Sequence, residues 1–196
     1  MADFPASVLA AQSNFRAILD ATASPGSVRP ITAEVPPPTR LTAGAAAVAL
    51  TLCDGDTPVW LDAALRDSEA VCQWLRFHCG CKLIDAPDDA AFAFVSASTS
   101  LPPFATFNLG TPDYPDRSTT IVLAVETLQA GPPLMLSGPG IRDTQVLRAA
   151  PLPADMPARL ADNRALFPRG VDLILVTATE VAALPRSVRL AAQEGA

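Results

Sequence analysis

Two runs in this chain, Thr119-Thr120-Ile121-Val122-Leu123-Ala124-Val125 and Val171-Asp172-Leu173-Ile174-Leu175-Val176-Thr177, are apolar at nearly every position. Successive side chains of a strand point to opposite faces, so a strand wetted on one side alternates apolar and polar residues. Runs without alternation imply a sheet covered on both faces. Ala91-Phe92-Ala93-Phe94-Val95, Pro58-Val59-Trp60-Leu61 and Leu134-Met135-Leu136-Ser137 read as further strands, and Ala182-Ala183-Leu184-Pro185 as an edge strand. The fold expected is α/β: a three-layer α/β/α sandwich around a mostly buried mixed sheet. The 196 residues suit one domain spanning 1–196, long enough to bury roughly 70% of the unfolded surface without a metal or disulfide staple.

The helices follow from spacing. Val8, Phe15, Ile18, Leu19 and Thr22 fall at helical intervals, Arg16 and Asp20 stand four apart on the polar side, and Ser24-Pro25-Gly26 stops the helix. After a short extended piece at Ser27–Ile31, Pro36-Pro37-Pro38 makes a stiff connector. Thr42 is placed to cap a helix running from Gly44 to Leu52. That helix has almost no polar side chain, which implies burial on most sides. A third helix starts at Asp67 or Ser68 and runs to about Phe77, and another covers 154–166. Residues 97–118 are rich in turn chemistry, and the end from about Ala191 is expected to fray.

Charge and cysteine content exclude several functions. Fourteen basic against 20 acidic residues leave a net charge of −6, the wrong sign for a nucleic-acid protein that gains affinity from a cationic face. No apolar stretch is long enough to span a membrane, and the first residues lack a basic, then apolar, leader. With no such leader, Cys53, Cys72, Cys79 and Cys81 read as reduced thiols in a cytosol. The basic residues are thirteen arginines and a single lysine, Lys82. Arginine suits bidentate contact with carboxylate or phosphate.

The segment Trp74-Leu75-Arg76-Phe77-His78-Cys79-Gly80-Cys81-Lys82 holds the only histidine and the only lysine. Zinc usually takes Cys-x-x-Cys spacing and about four ligands. The spacing here is Cys-x-Cys and no second cluster exists, so no metal site is expected. A Cys/His catalytic pair needs its members across a cleft, whereas sequence neighbours point apart. The structural alternative is a helix C-terminus: Trp74 and Phe77 pack, Gly80 supplies a left-handed cap, and His78 favours the negative end of the dipole. Arg76 and His78 are then free to face a partner or an anionic ligand. Gly138-Pro139-Gly140 offers either an anion-binding nest of backbone N–H groups or a tight turn. Asp54 with Asp56, and Asp113 with Asp116, read as turn residues. Asp172, inside an apolar run, needs a partner if buried, and Arg169 and Arg186 are the candidates. No Ser/His/Asp triad can be assembled, and no catalytic residue is assigned.

Taken in order, several segments carry a family resemblance: Phe15-Arg16-Ala17-Ile18-Leu19-Asp20 with Ser24-Pro25-Gly26, Asp56-Thr57-Pro58-Val59-Trp60-Leu61-Asp62, and Leu75-Arg76-Phe77-His78. Leu50-Thr51-Leu52, Gly110-Thr111, Leu136-Ser137-Gly138-Pro139-Gly140-Ile141, the run from Phe167-Pro168-Arg169-Gly170 to Leu175, and Leu184-Pro185-Arg186-Ser187 complete the set. The chain resembles the PhnH family, the H subunit of the bacterial carbon–phosphorus lyase core complex. Cys79 and Cys81 are not part of that pattern. The resemblance implies a cytoplasmic homodimer whose fold is similar to the large domain of pyridoxal-phosphate-dependent transferases. It also implies assembly with the G, I and J subunits, and support for attaching a phosphonate to the ribose of ATP with displacement of adenine. A pyridoxal-phosphate enzyme needs a Schiff-base lysine. Only Lys82 is available, in no cofactor motif, so no pyridoxal phosphate and no other cofactor is expected. Arg16, Arg76, His78, Arg169 and Arg186, with Gly138 and Gly140, are the candidates for facing a phosphonate or nucleotide ligand or a partner interface. The competing readings are a stand-alone nucleotide- or thiol-dependent enzyme built on Arg76–Cys81, and a scaffold that binds no ligand.

Overall fold

A computed structural model describes residues 6–191. Helix α1 (Ala6–Ala23) stops where Ser24 donates back to the Asp20 carbonyl at 2.9 Å. After strand β1 (Arg29–Pro30), the triple-proline connector leads to α2 (Ala43–Leu52). Thr42 caps α2 by accepting from the Ala45 amide at 3.4 Å, a contact of the kind worth about 1 kcal/mol. Gly44 to Ala49 are buried, so α2 is an internal helix. Strand β2 (Pro58–Leu61) leads into a short helix, α3 (Ala63–Arg66), and then α4 (Glu69–His78). Strands β3 (Lys82–Ile84), β4 (Phe92–Val95), β5 (Thr120–Ala124), β6 (Pro133–Ser137) and β7 (Gln145–Arg148) follow. Helix α5 (Met156–Ala165) precedes β8 (Asp172–Val176), β9 (Glu180–Leu184) and β10 (Arg189–Leu190).

Seven strands form one mixed sheet in the order β1-β9-β8-β5-β4-β2-β3. The five from β8 to β3 run parallel; β9 alone is reversed, pairing antiparallel with β8 on one side and with β1 on the other. Strands β10, β6 and β7 make a separate antiparallel sheet. Both faces of the large sheet are covered, as its unalternated runs require. On one face Ile18, Val48, Leu65 and Leu75, from the first four helices, pack against Phe94, Val122, Ile174 and Val176. On the other, Met156 and Leu160 of α5, Leu136 and Leu147 of the small sheet, and Phe104 and Phe107 of the long loop meet Ile121, Leu123, Leu173 and Leu175. The Phe107 ring stands edge-on to Trp60, centroids 5.5 Å apart.

The second covering layer therefore differs from the expected α/β/α sandwich: one helix shares it with a three-stranded sheet and loops. Short antiparallel strands such as β7 and β10 bury few residues, so their pattern is too brief to read. β9 is not an edge strand, because the two-residue β1 pairs along its outer side. Helix α1 also turns a different face inward. Asn14, Ala17, Ile18 and Ala21 are buried, whereas Val8, Phe15, Leu19 and Thr22 are exposed. Asn14 is held by a reciprocal pair of bonds with Thr32, at 2.8 and 3.1 Å, which fixes that rotation. At the far end, the Ala191 amide still donates to the Met135 carbonyl; residues 192–196, where fraying is expected, lie outside the described residues.

Candidate functional site at the amino edge of the sheet

The strand register gathers the amino ends of the parallel strands along one edge: Lys82 beside Pro58, Phe92 beside Thr120, and Thr120 beside Asp172. A pocket of about 200 Å³ opens there. It is lined by Ile18 and Thr22 of α1, Leu52 of α2, Phe92, Thr120 and Asp172 at strand starts, and Ala183 and Pro185 at the end of β9. Helix C-termini and strand N-termini meet at this edge, so the backbone offers it no converging helix N–H groups.

Asp172 is the acidic residue lining that pocket, and its partner is Arg186. Nε donates to Oδ1 at 3.2 Å and Nη2 to Oδ2 at 2.5 Å, while the Arg186 amide donates to Oδ1 at 2.8 Å. Nη1 donates to the Pro115 carbonyl, which ties the turn-rich loop to the same point. Of the two arginines the sequence offers for Asp172, the structure selects Arg186. The fork already engaged on a carboxylate is not free to take an anion without displacing Asp172.

The other candidates fall elsewhere. Gly138 (φ +131°) and Gly140 (φ +81°) turn the chain after β6. A Cβ on Gly140 would come within 2.0 Å of the Ala23 carbonyl oxygen, and one on Gly138 within 3.1 Å of the Ser187 carbonyl oxygen. Both glycines therefore answer a packing demand, Gly138 beside the segment after Arg186 and Gly140 against the end of α1. Arg169 is half-buried just before β8 and forms no side-chain ion pair among the described residues. Arg16 lines a shallow groove of about 630 Å³ with Val8, Ala11, Gln12, Phe15, Leu19 and Thr51. It forms no ion pair with Asp20. Arg76 and His78 sit at the exposed end of α4, which feeds β3. Four strand spacings of about 4.8 Å separate β3 from β8, roughly 19 Å. The predicted residues thus occupy three places rather than one site: the Arg186 corner, the α1 groove and the α4 terminus.

At that terminus Gly80 adopts the expected left-handed conformation (φ +67°). Trp74 packs inward and its indole N–H donates to the Pro36 carbonyl at 3.1 Å. Phe77 does not pack: it is 83% exposed. The His78 ring sits 4.8 Å from both the Trp74 and the Phe77 rings. No group of metal-binding side chains exists among the described residues.

One ionisable residue escaped the sequence reading. Asp62, at the opposite, carboxyl edge, is 1% exposed. It caps α3 by accepting from the Leu65 amide at 2.9 Å, and accepts from the Ser96 amide and hydroxyl at 2.7 and 2.6 Å. It thereby pins the ends of β2 and β4 together, a positioning role with every contact internal. Its signal was the N-cap spacing before Ala63-Ala64-Leu65-Arg66.

Among the described residues no hydroxyl or thiol is hydrogen-bonded to the His78 ring, whose neighbours are aromatic. Comparison with known proteins decides the lineage: residues 2–191 match the family described as bacterial phosphonate metabolism protein (PhnH). The chain belongs to the PhnH family. It is 45% identical, over 183 residues, to the alpha-D-ribose 1-methylphosphonate 5-triphosphate synthase subunit PhnH of Rhizobium meliloti, covering 93% of this chain and 91% of that protein. It is 41% identical over 86 residues to a Stutzerimonas stutzeri protein named as a C-P lyase subunit, HtxG, covering 44% of each. No helix among the described residues is long and apolar enough to cross a membrane.

Proposed function

We propose that this PhnH-family chain is a cytoplasmic docking subunit of a C-P lyase core complex and performs no chemistry alone. In this reading it supports, through assembly with G, I and J subunits, the ATP-dependent formation of a ribose 1-phosphonate 5-triphosphate with displacement of adenine. Membership of the family and the name of the Rhizobium meliloti relative support the assignment. One structural observation carries the docking role. Phe15 and Leu19, 52% and 49% exposed, lie with Val8 along the outer face of α1 beside Arg16. Contiguous apolar side chains on a surface mark a contact with another protein. The internal helix α2 is buried, as its composition implies, and supplies no such surface.

Lys82 stands exposed at the start of an edge strand. An enclosed Schiff base has no amine here, so the reading includes no pyridoxal phosphate and no step through it. The thiol-dependent alternative on Arg76–Cys81 is weaker, because the exposed His78 ring lies edge-on to Phe77 and tilted against Trp74, with no hydrogen bond to a thiol among the described residues, and the Cys79 thiol is pushed up by interaction with Cys81 and by burial. The test is co-expression with the other core subunits, followed by size exclusion and mass determination. The wild-type chain is expected to elute as a dimer within the assembly. Phe15→Asp with Leu19→Asp should fold yet drop out. A doubly substituted chain that assembles normally would remove the α1 face from the reading.

A further inference from the structure

Three thiols converge where α4 ends. Cys53 caps α2, Cys79 caps α4 and Cys81 precedes β3, and all lie in the apolar cluster that holds Val71 and Leu75. Two contacts bring the Cys79 backbone and the Cys81 sulfur to one acceptor at the helix end. The Cys79 amide donates to the Leu75 carbonyl at 2.9 Å, and the Cys81 Sγ reaches the same oxygen at 3.8 Å. The left-handed Gly80 between them folds the chain back on itself. Interaction with Cys79 and the Arg76 charge hold the Cys81 thiol below its ordinary range against the effect of burial. Burial keeps Cys53 protonated. Gly55 and Gly80, both exposed, lie next to each other at this corner.

We propose that Cys79 and Cys81 are a redox modification site, closing to a reversible disulfide when a peroxide oxidises the chain. The Cys81 sulfur attacks one peroxide oxygen; the O–O bond breaks, sulfenic acid forms, and the other oxygen leaves as water with the thiol proton. The Cys79 sulfur then attacks the Cys81 sulfur. The S–S bond forms, the S–O bond breaks, and hydroxyl departs with the Cys79 proton as a second water. The two thiols lose two electrons and hydrogen peroxide gains them. A small dithiol reverses the bond by exchange. The bond would tie the end of the helix that presents Arg76, Phe77 and His78 to the entry of β3.

The test uses the reduced chain, hydrogen peroxide, alkylation with iodoacetamide and peptide mapping. Two of the four free thiols should be lost, the product should be two hydrogens lighter with Cys79 linked to Cys81, and dithiothreitol should restore all four. Cys79→Ser and Cys81→Ser should each abolish the product, and Cys72→Ser should leave it unchanged. Four thiols that still alkylate, a link mapping to Cys53 or Cys72, or overoxidised Cys81 with no disulfide would each overturn the proposal.

Discussion

Replacing Arg186 with alanine tests whether this residue is an internal tie or a free anion ligand. The substitution removes both side-chain bonds to Asp172 and the bond to the Pro115 carbonyl, and leaves only the amide on Oδ1. Breaking a fully buried ion pair costs about 3–5 kcal/mol, and a fully exposed pair is worth about 0–1 kcal/mol. The two side chains are 14% and 29% exposed, so solvent screens part of the loss and about 2–3 kcal/mol is expected. For a chain of this size each kcal/mol moves Tm by about 2–4 °C, giving a fall of about 4–12 °C in a thermal melt. Arg186→Lys keeps the charge but not the fork, and should recover less than half. A double-mutant cycle with Asp172→Asn should give a coupling of about 1–2 kcal/mol. A melt unchanged in Arg186→Ala, or strictly additive effects, would refute the internal tie and return Arg186 to the ligand candidates.

Asp62→Ala should cost about 2–4 kcal/mol in urea unfolding, because the Leu65 and Ser96 amides lose their acceptor; a loss under about 1 kcal/mol would contradict its pinning role. Gly44→Ala puts a Cβ 2.0 Å from the Thr177 carbonyl oxygen, so α2 must shift at about 1–3 kcal/mol or more, and a chain as stable as wild type would show that the helix seats otherwise. The Asp54 carboxyl is held below its ordinary value of 3.8 by hydrogen bonds from the Thr57 hydroxyl and the Asp56 amide. A depressed folded pKa adds stability above the unfolded value that is lost as pH falls through the folded one. Asp54→Asn should therefore flatten the acid limb of the stability curve below about pH 4 and change little at pH 7; an unaltered acid limb would count against it.

The sheet was legible in the sequence because burial on both faces leaves a pattern that no surface strand can mimic. Val122, Leu123, Ile174 and Leu175 face opposite covers and all must be apolar. The Thr42 cap and the Gly80 terminus were legible because one side chain or one backbone angle decides each. The orientation of α1 was not. Both its faces are apolar, and a polar residue, Asn14, turns inward because the Thr32 backbone satisfies it. Phe77 was misread for a related reason: at a helix end the chain supplies no cover for the last ring. The candidate arginines were chosen by residue type, and type does not encode distance. Asp172 decided the fate of Arg186 through a contact spanning fourteen residues, while Arg16 and Arg76 lie on separate helices. The Cys79–Cys81 pair was passed over because its spacing is wrong for zinc; the shared Leu75 carbonyl emerges only in three dimensions.

The central claim is that this chain works only through its neighbours. The direct measurement supplies ATP and methylphosphonate to the purified chain alone, then to the chain co-expressed with the other core subunits, and follows free adenine by chromatography. No release above the buffer blank is expected from the chain alone, and release is expected once the partners are present. Steady release of adenine by the isolated chain would contradict the claim outright.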